Sequence, residues 1–185
     1  NSYYIAGYEN GLLYLGNYTA PLHVLVVDTA LLSKKEYKID VNLSKYSIYS
    51  LKLIVSESRF YLSDGTVPLV VSGTVTDWKG KVRRQDQPYF SKVVLMDSLN
   101  LAFRGLSSST HDNLLGTFSL NNASQLNLAP QLLEKQDVSD GLFNTDGHLT
   151  YSKSLSKMIY VYAYRNQFIV ADPSGALAYR GFTID

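Results

Sequence analysis

The chain reads as all-β, and three observations carry that reading. First, the stretch 158–185 holds three short apolar or aromatic runs, Met158–Tyr164, Phe168–Ala171 and Ala176–Arg180. The polar corners Arg165-Asn166-Gln167 and Asp172-Pro173-Ser174-Gly175 separate them, and such runs joined by short turns make a meander. Second, looser versions of this unit recur upstream. Third, the 185 residues include 15 tyrosines, a side chain suited to a pleated, half-buried surface with its hydroxyl reaching water.

Taken in order, the first segment has strands at Tyr3–Tyr8, Gly11–Gly16, Leu22–Asp28 and Glu36–Val41. Asn10-Gly11, between the first two, is the strongest short hairpin signal in the sequence. The second segment runs through Leu51–Val55, a turn at Ser56-Glu57-Ser58, Arg59–Leu62, a corner at Ser63–Thr66, Val67–Thr76 and Lys81–Arg84. The third has Lys92–Met96, Leu99–Arg104, a polar loop at Ser107–Asn113, Leu114–Leu120 and a weak strand at Gln125–Leu128. The fourth begins at His148–Tyr151 and includes the closing meander. Helix is nearly absent. Pro130–Lys135 reads as one turn, and Gln131–Gly147 as a long irregular connection.

First strands begin near residues 3, 51, 92 and 148. Four four-stranded meanders at this spacing predict the blades of a β-propeller, over 3–41, 51–84, 92–128 and 148–185 of a single domain, 1–185. A β-sandwich or irregular barrel is the alternative, since it gives a similar rhythm.

A formal charge of +1 leaves no electrostatic footprint for nucleic acid or an anionic membrane. The basic cluster Lys79, Lys81, Arg83 and Arg84 reads as an outer edge strand guarded by charge. Without cysteine there is no disulfide framework, thiolate nucleophile or cysteine zinc site. That suits the cytosol and a bacterial envelope equally. No apolar run approaches the ~20 residues that span a bilayer. The chain starts at Asn1 rather than Met, which gives the expectation of a processed or trimmed N-terminus with any export signal removed.

Chemistry is thinly signalled. No Gly-x-Ser-x-Gly elbow is present, and Ser107, Ser108, Ser109, His111 and Asp112 crowd one loop, whereas triads are assembled across space. His23, His111 and His148 fall in separate segments, and the acidic stretch Asp137–Gly147 lacks the ligand spacing of a calcium loop. The expectation is no metal and no cofactor. Asn17-Tyr18-Thr19, Asn42-Leu43-Ser44 and Asn122-Ala123-Ser124 match the N-glycosylation acceptor pattern.

The stretch Tyr160–Asp172 with the closing Arg180-Gly181-Phe182-Thr183-Ile184-Asp185 resembles uncharacterised propeller-like proteins of the Bacteroidetes, grouped with TolB-like six-bladed propellers. Ser63-Asp64-Gly65-Thr66-Val67-Pro68 is similar to a corner that such proteins carry. The resemblance covers roughly the last 40 residues and brings no catalytic motif. It implies further blades beyond this chain, in the bacterial periplasm or on the cell surface. A closed four-bladed ring is the other possibility.

In a propeller the loops between second and third strands share one face. Here they are expected at Asn17–Pro21, Ser63–Thr66, Ser107–Asn113 and Arg165–Gln167, offering Tyr18, Asp64, Arg104, His111, Asp112, Tyr164, Arg165 and Asn166. Loops on rigid scaffolds are where binding usually resides, and Tyr and Arg are enriched at interface hot spots. The expected function is therefore non-enzymatic binding or scaffolding towards a protein partner or a glycan. The alternatives are a hydrolase of glycans or peptides centred on Asp64, His111 and Asp112, and a structural fragment completed by missing blades.

Overall fold

The computed structural model describes residues 2–84, 86, 88–107, 112–122, 124–134 and 141–184. It is built of sixteen strands in four antiparallel four-stranded sheets, each with its strands in chain order. These are the four blades. The first holds β1 (Tyr3–Glu9), β2 (Leu12–Asn17), β3 (His23–Asp28) and β4 (Lys34–Lys38). The second holds β5 (Lys52–Ser56), β6 (Arg59–Asp64), β7 (Leu69–Thr74) and β8 (Lys81–Arg84). The third holds β9 (Lys92–Leu95), β10 (Asn100–Leu106), β11 (Asn113–Ser119) and β12 (Leu126–Ala129). The fourth holds β13 (Gly147–Ser152), β14 (Lys157–Tyr162), β15 (Phe168–Ala171) and β16 (Leu177–Gly181).

First strands start at Tyr3, Lys52, Lys92 and Gly147, within a residue of the expected positions. Strand ends elsewhere shift by a residue or two, as at β7 and β14, and two larger details differ from expectation. β4 ends at Lys38 because the next residues leave the sheet: the Asp40 amide donates to the Trp78 carbonyl at 2.9 Å, and the Gly80 amide to the Asp40 carbonyl at 2.8 Å. The connection after blade three contains a 3-10 turn at Pro130–Leu132 and a short helix, α1 (Gly141–Thr145), where only irregular chain was expected beyond the Pro130 turn.

The chain divides into two compact units, Asn1–Gln87 and Pro88–Asp185, each with two blades. In the first, strand alternation supplies one core: Val24 and Val26 from β3, Leu53 and Val55 from β5, Phe60 and Leu62 from β6, and Leu69 and Val71 from β7. Trp78 closes it, stacked on Phe60 and on Tyr37, each at 5.4 Å between ring centres. Fully burying one such side chain contributes about 1.5–3 kcal/mol. In the second unit β14 buries Met158, Tyr160 and Tyr162 on one face, the period of two visible in the sequence. They pack with Leu115, Leu132, Leu149 and Ile169.

The turns have a common chemistry. Asn10 and Gly11 have φ of 52° and 75°, the two left-handed residues of a type I′ hairpin, as the sequence predicts. At Asn17, Asn42, Asp64, Asn122 and Asp172 one side-chain oxygen accepts from both the amide and the hydroxyl of the Ser or Thr two residues on. The three glycosylation-like triplets thus belong to a set of five Asx turns. The basic strand β8 lies at the outer edge of its sheet, with Lys81 and Arg83 exposed.

Candidate functional site

The connections between second and third strands are 18–22, 65–68, 107–112 and 163–167. Their candidate residues divide into braces and exposed groups. His111 lies outside the described residues.

In the first unit, Tyr18 is exposed, its ring centre 4.4 Å from that of Tyr4, with the Lys52 ammonium 6.0 Å from its own centre. Tyr4 is fixed in turn by the Leu53 amide, which donates to its hydroxyl at 2.6 Å. Asp64 is a brace. It is fully buried, one oxygen taking the amides of Tyr49 and Ser50 at 2.8 and 2.7 Å, the other the amide and hydroxyl of Thr66 at 2.9 and 2.7 Å. Burial alone would raise its pKa. These four donors outweigh that and hold it below the ordinary carboxylate value.

In the second unit, Arg104 projects from β10 and donates through Nη1 to the Asp146 carboxylate and, at 2.7 Å, to the Gly147 carbonyl, while its Nε donates to Ser91 Oγ at 2.9 Å. It pins blade three to the start of blade four. Asp146 also accepts the Ala163 amide through its carbonyl at 2.9 Å, which ties the 163–167 corner to the same point. Asp112 closes its own loop, its carbonyl accepting the Ser107 amide at 2.8 Å. Asn166 clasps the chain after β16: its oxygen accepts the amides of Thr183 and Ile184 at 2.9 and 2.6 Å, and its Nδ2 donates to the Ile184 carbonyl at 2.6 Å.

Tyr164, at that same corner, is 66% exposed and meets Phe143 of α1 edge-on at 5.6 Å. Phe143 is itself exposed. The sequence did not single it out, because it lies in the irregular connection, where apolar periodicity is absent.

Behind the corner, the Arg165 guanidinium stacks 4.5 Å from the centre of the Tyr162 ring and donates from Nη2 to the Glu134 carbonyl at 2.7 Å. Tyr162 is 4% exposed; its hydroxyl lies beside the Arg180 guanidinium and donates to no acceptor among the described residues, and Arg165 Nε is likewise without one. Burial pushes the Tyr162 pKa up, against the pull of Arg165 and Arg180 beside it. A hollow of about 90 Å³ is lined by Glu134, Tyr162, Gln167, Phe168, Arg180 and Phe182. Arg180 is held by the Leu132 carbonyl at 3.1 Å and the Glu134 carboxylate at 3.0 Å. The sequence marks Tyr162 and Arg180 only as strand residues. The available signal was a core-facing tyrosine whose hydroxyl needs a partner.

Of the residues named for the hydrolase alternative, Asp64 lies in the first unit and Asp112 in the second. Among the described residues, no group of three or more His, Asp or Glu side chains is placed to hold a metal ion, and no helix is long and apolar enough to cross a membrane.

No protein-family model matches the chain, and no curated protein does. Solved structures do. A streptogramin B lyase superposes with a TM-score of 0.58 at 13% identity, covering 95% of this chain and 53% of that one. A Bacteroides thetaiotaomicron protein of unknown function gives 0.57 at 17% identity, covering 97% and 43%. The WD40 domain of Toxoplasma gondii coronin gives 0.56 at 8% identity, covering 95% and 43%. WD40 repeats build β-propellers, so the likeness establishes the propeller fold; at these identities it shows the fold alone. The chain spans about half the length of the solved chains it matches.

Proposed function

We propose that this chain is a binding or scaffolding domain that meets a partner protein through the 163–167 corner of its last blade. The observation behind this reading is the exposed Phe143–Tyr164 pair, carried on a corner that Asn166 and Asp146 hold in place. Rigid aromatic anchors of this kind dominate interface energetics, because they bring large contact area at low entropic cost. A propeller fold, with loops on a fixed scaffold, suits that role. The assignment to a Bacteroidetes periplasm or cell surface rests on the resemblance of the closing stretch.

The test is site-specific photo-crosslinking in a Bacteroides host. A benzoylphenylalanine at position 164 is expected to capture a discrete envelope protein. The same group at 155, an exposed position in the β13–β14 turn at the other end of the blade, is expected to capture none. A glycan array probed with the wild type and Tyr164→Ala covers a carbohydrate partner. Equal labelling at both positions, with no array signal that depends on Tyr164, would overturn the proposal.

A further inference from the structure

We propose that the last blade carries a binding site for a single small carboxylate, built from the Tyr162 hydroxyl and the guanidinium groups of Arg165 and Arg180. The proposal starts from two donors that the described residues leave without an acceptor, Tyr162 Oη and Arg165 Nε. Buried polar atoms are nearly always paired, so each of these orphans asks for an acceptor. Tyr162 and Arg180 line a hollow of about 90 Å³, and Arg165, outside that lining, stacks on the Tyr162 ring. The hollow is small, which suits a carboxylate of two or three carbons.

Charge selects the sign and number. Two guanidinium groups lie beside Glu134: Arg180 pairs with its carboxylate at 3.0 Å, and Arg165 donates to its backbone carbonyl at 2.7 Å. One positive charge is left over, enough for a monoanion, while Glu134 would repel the second charge of a phosphate. Phe168 and Phe182 in the lining receive a short apolar stem. The ligand is thus a free short-chain acid or the side chain of an Asp or Glu on a peptide. The site stands whether or not the Phe143–Tyr164 pair meets a partner.

The experiment follows the backbone amides of Gln167 and Gly181 by NMR in the intact chain. It is titrated with sodium acetate, sodium propionate, acetyl-aspartate amide and acetyl-asparagine amide, with sodium chloride at matched ionic strength. Saturable shifts are expected with the carboxylates and not with chloride or the asparagine control. Tyr162→Phe and Arg165→Gln are each expected to weaken binding by about tenfold, one charge-assisted hydrogen bond's worth. Tyr162→Phe keeps the ring and removes only the unpaired hydroxyl, so it folds, and its melting curve verifies this. Tighter binding of acetate or propionate than of the capped aspartate identifies a free acid as the ligand; the reverse order identifies an acidic side chain. No saturable shift with any carboxylate, or unchanged affinity in both folded variants, overturns the proposal.

Discussion

Asp64 shows how one side chain can look like a ligand contact and be a strut. Its neighbours in sequence mark it as a corner residue. What they do not reveal is that Tyr49 and Ser50 return to bring two backbone amides onto its carboxylate. Substituting Asp64→Asn places an amide group against donors, leaving at least one buried N–H unpaired. We expect a loss of roughly 1–3 kcal/mol at neutral pH, read by urea denaturation. The folded-state pKa of Asp64 is lowered, so its contribution is fully present above the unfolded carboxylate value. It is lost as pH falls through the lower folded value. The stability gap between wild type and Asp64→Asn should therefore narrow below about pH 4; a gap independent of pH would contradict this account. Arg104 and Asn166 tell the same story, since the partners that fix them, Asp146 and Ile184, lie 42 and 18 residues away.

Strands were the most legible elements, because alternation and turn chemistry are local. Their ends shift by a residue or two where pairing runs out, as at β4, which stops when Asp40 crosses to Trp78. The helix α1 was invisible because five residues carry no periodicity. Close packing between elements was equally hidden. β1 has a bulge between Ile5 and Gly7, and a Cβ at Gly7 would run into the carbonyl of Val55 on β5. Backbone cannot swing away as a flexible side chain can. Gly7→Ala should cost on the order of 1–3 kcal/mol and speed amide exchange along β1 and β5, while an alanine at Gly11, where no atom lies within 4 Å, meets only the strain of its φ of 75°.

The blade count was readable for the whole molecule because rhythm survives when residue identity does not. The grouping into two units was not readable, since it depends on which buried faces share a core. The single tryptophan now has a use. Trp78 sits in the core of the first unit against Phe60, so its fluorescence reports that core. Leu62, fully buried there, is a clean probe. Leu62→Ala should cost about 2–5 kcal/mol and lower the urea midpoint of the fluorescence transition by on the order of 1–2 M. An unshifted midpoint would mean that Trp78 does not sense this core.

The Asx corners carry a lesson about mutability. Each needs an acceptor at its first position and an amide with a hydroxyl at its third, and nothing from the residue between. That middle position is filled by Tyr18, Leu43, Gly65, Ala123 and Pro173, five side chains with no chemistry in common. Such a chain can change what it displays at these bends by point substitution while the turn's own hydrogen bonds stay the same. The same bends are where a protein engineer would randomise first.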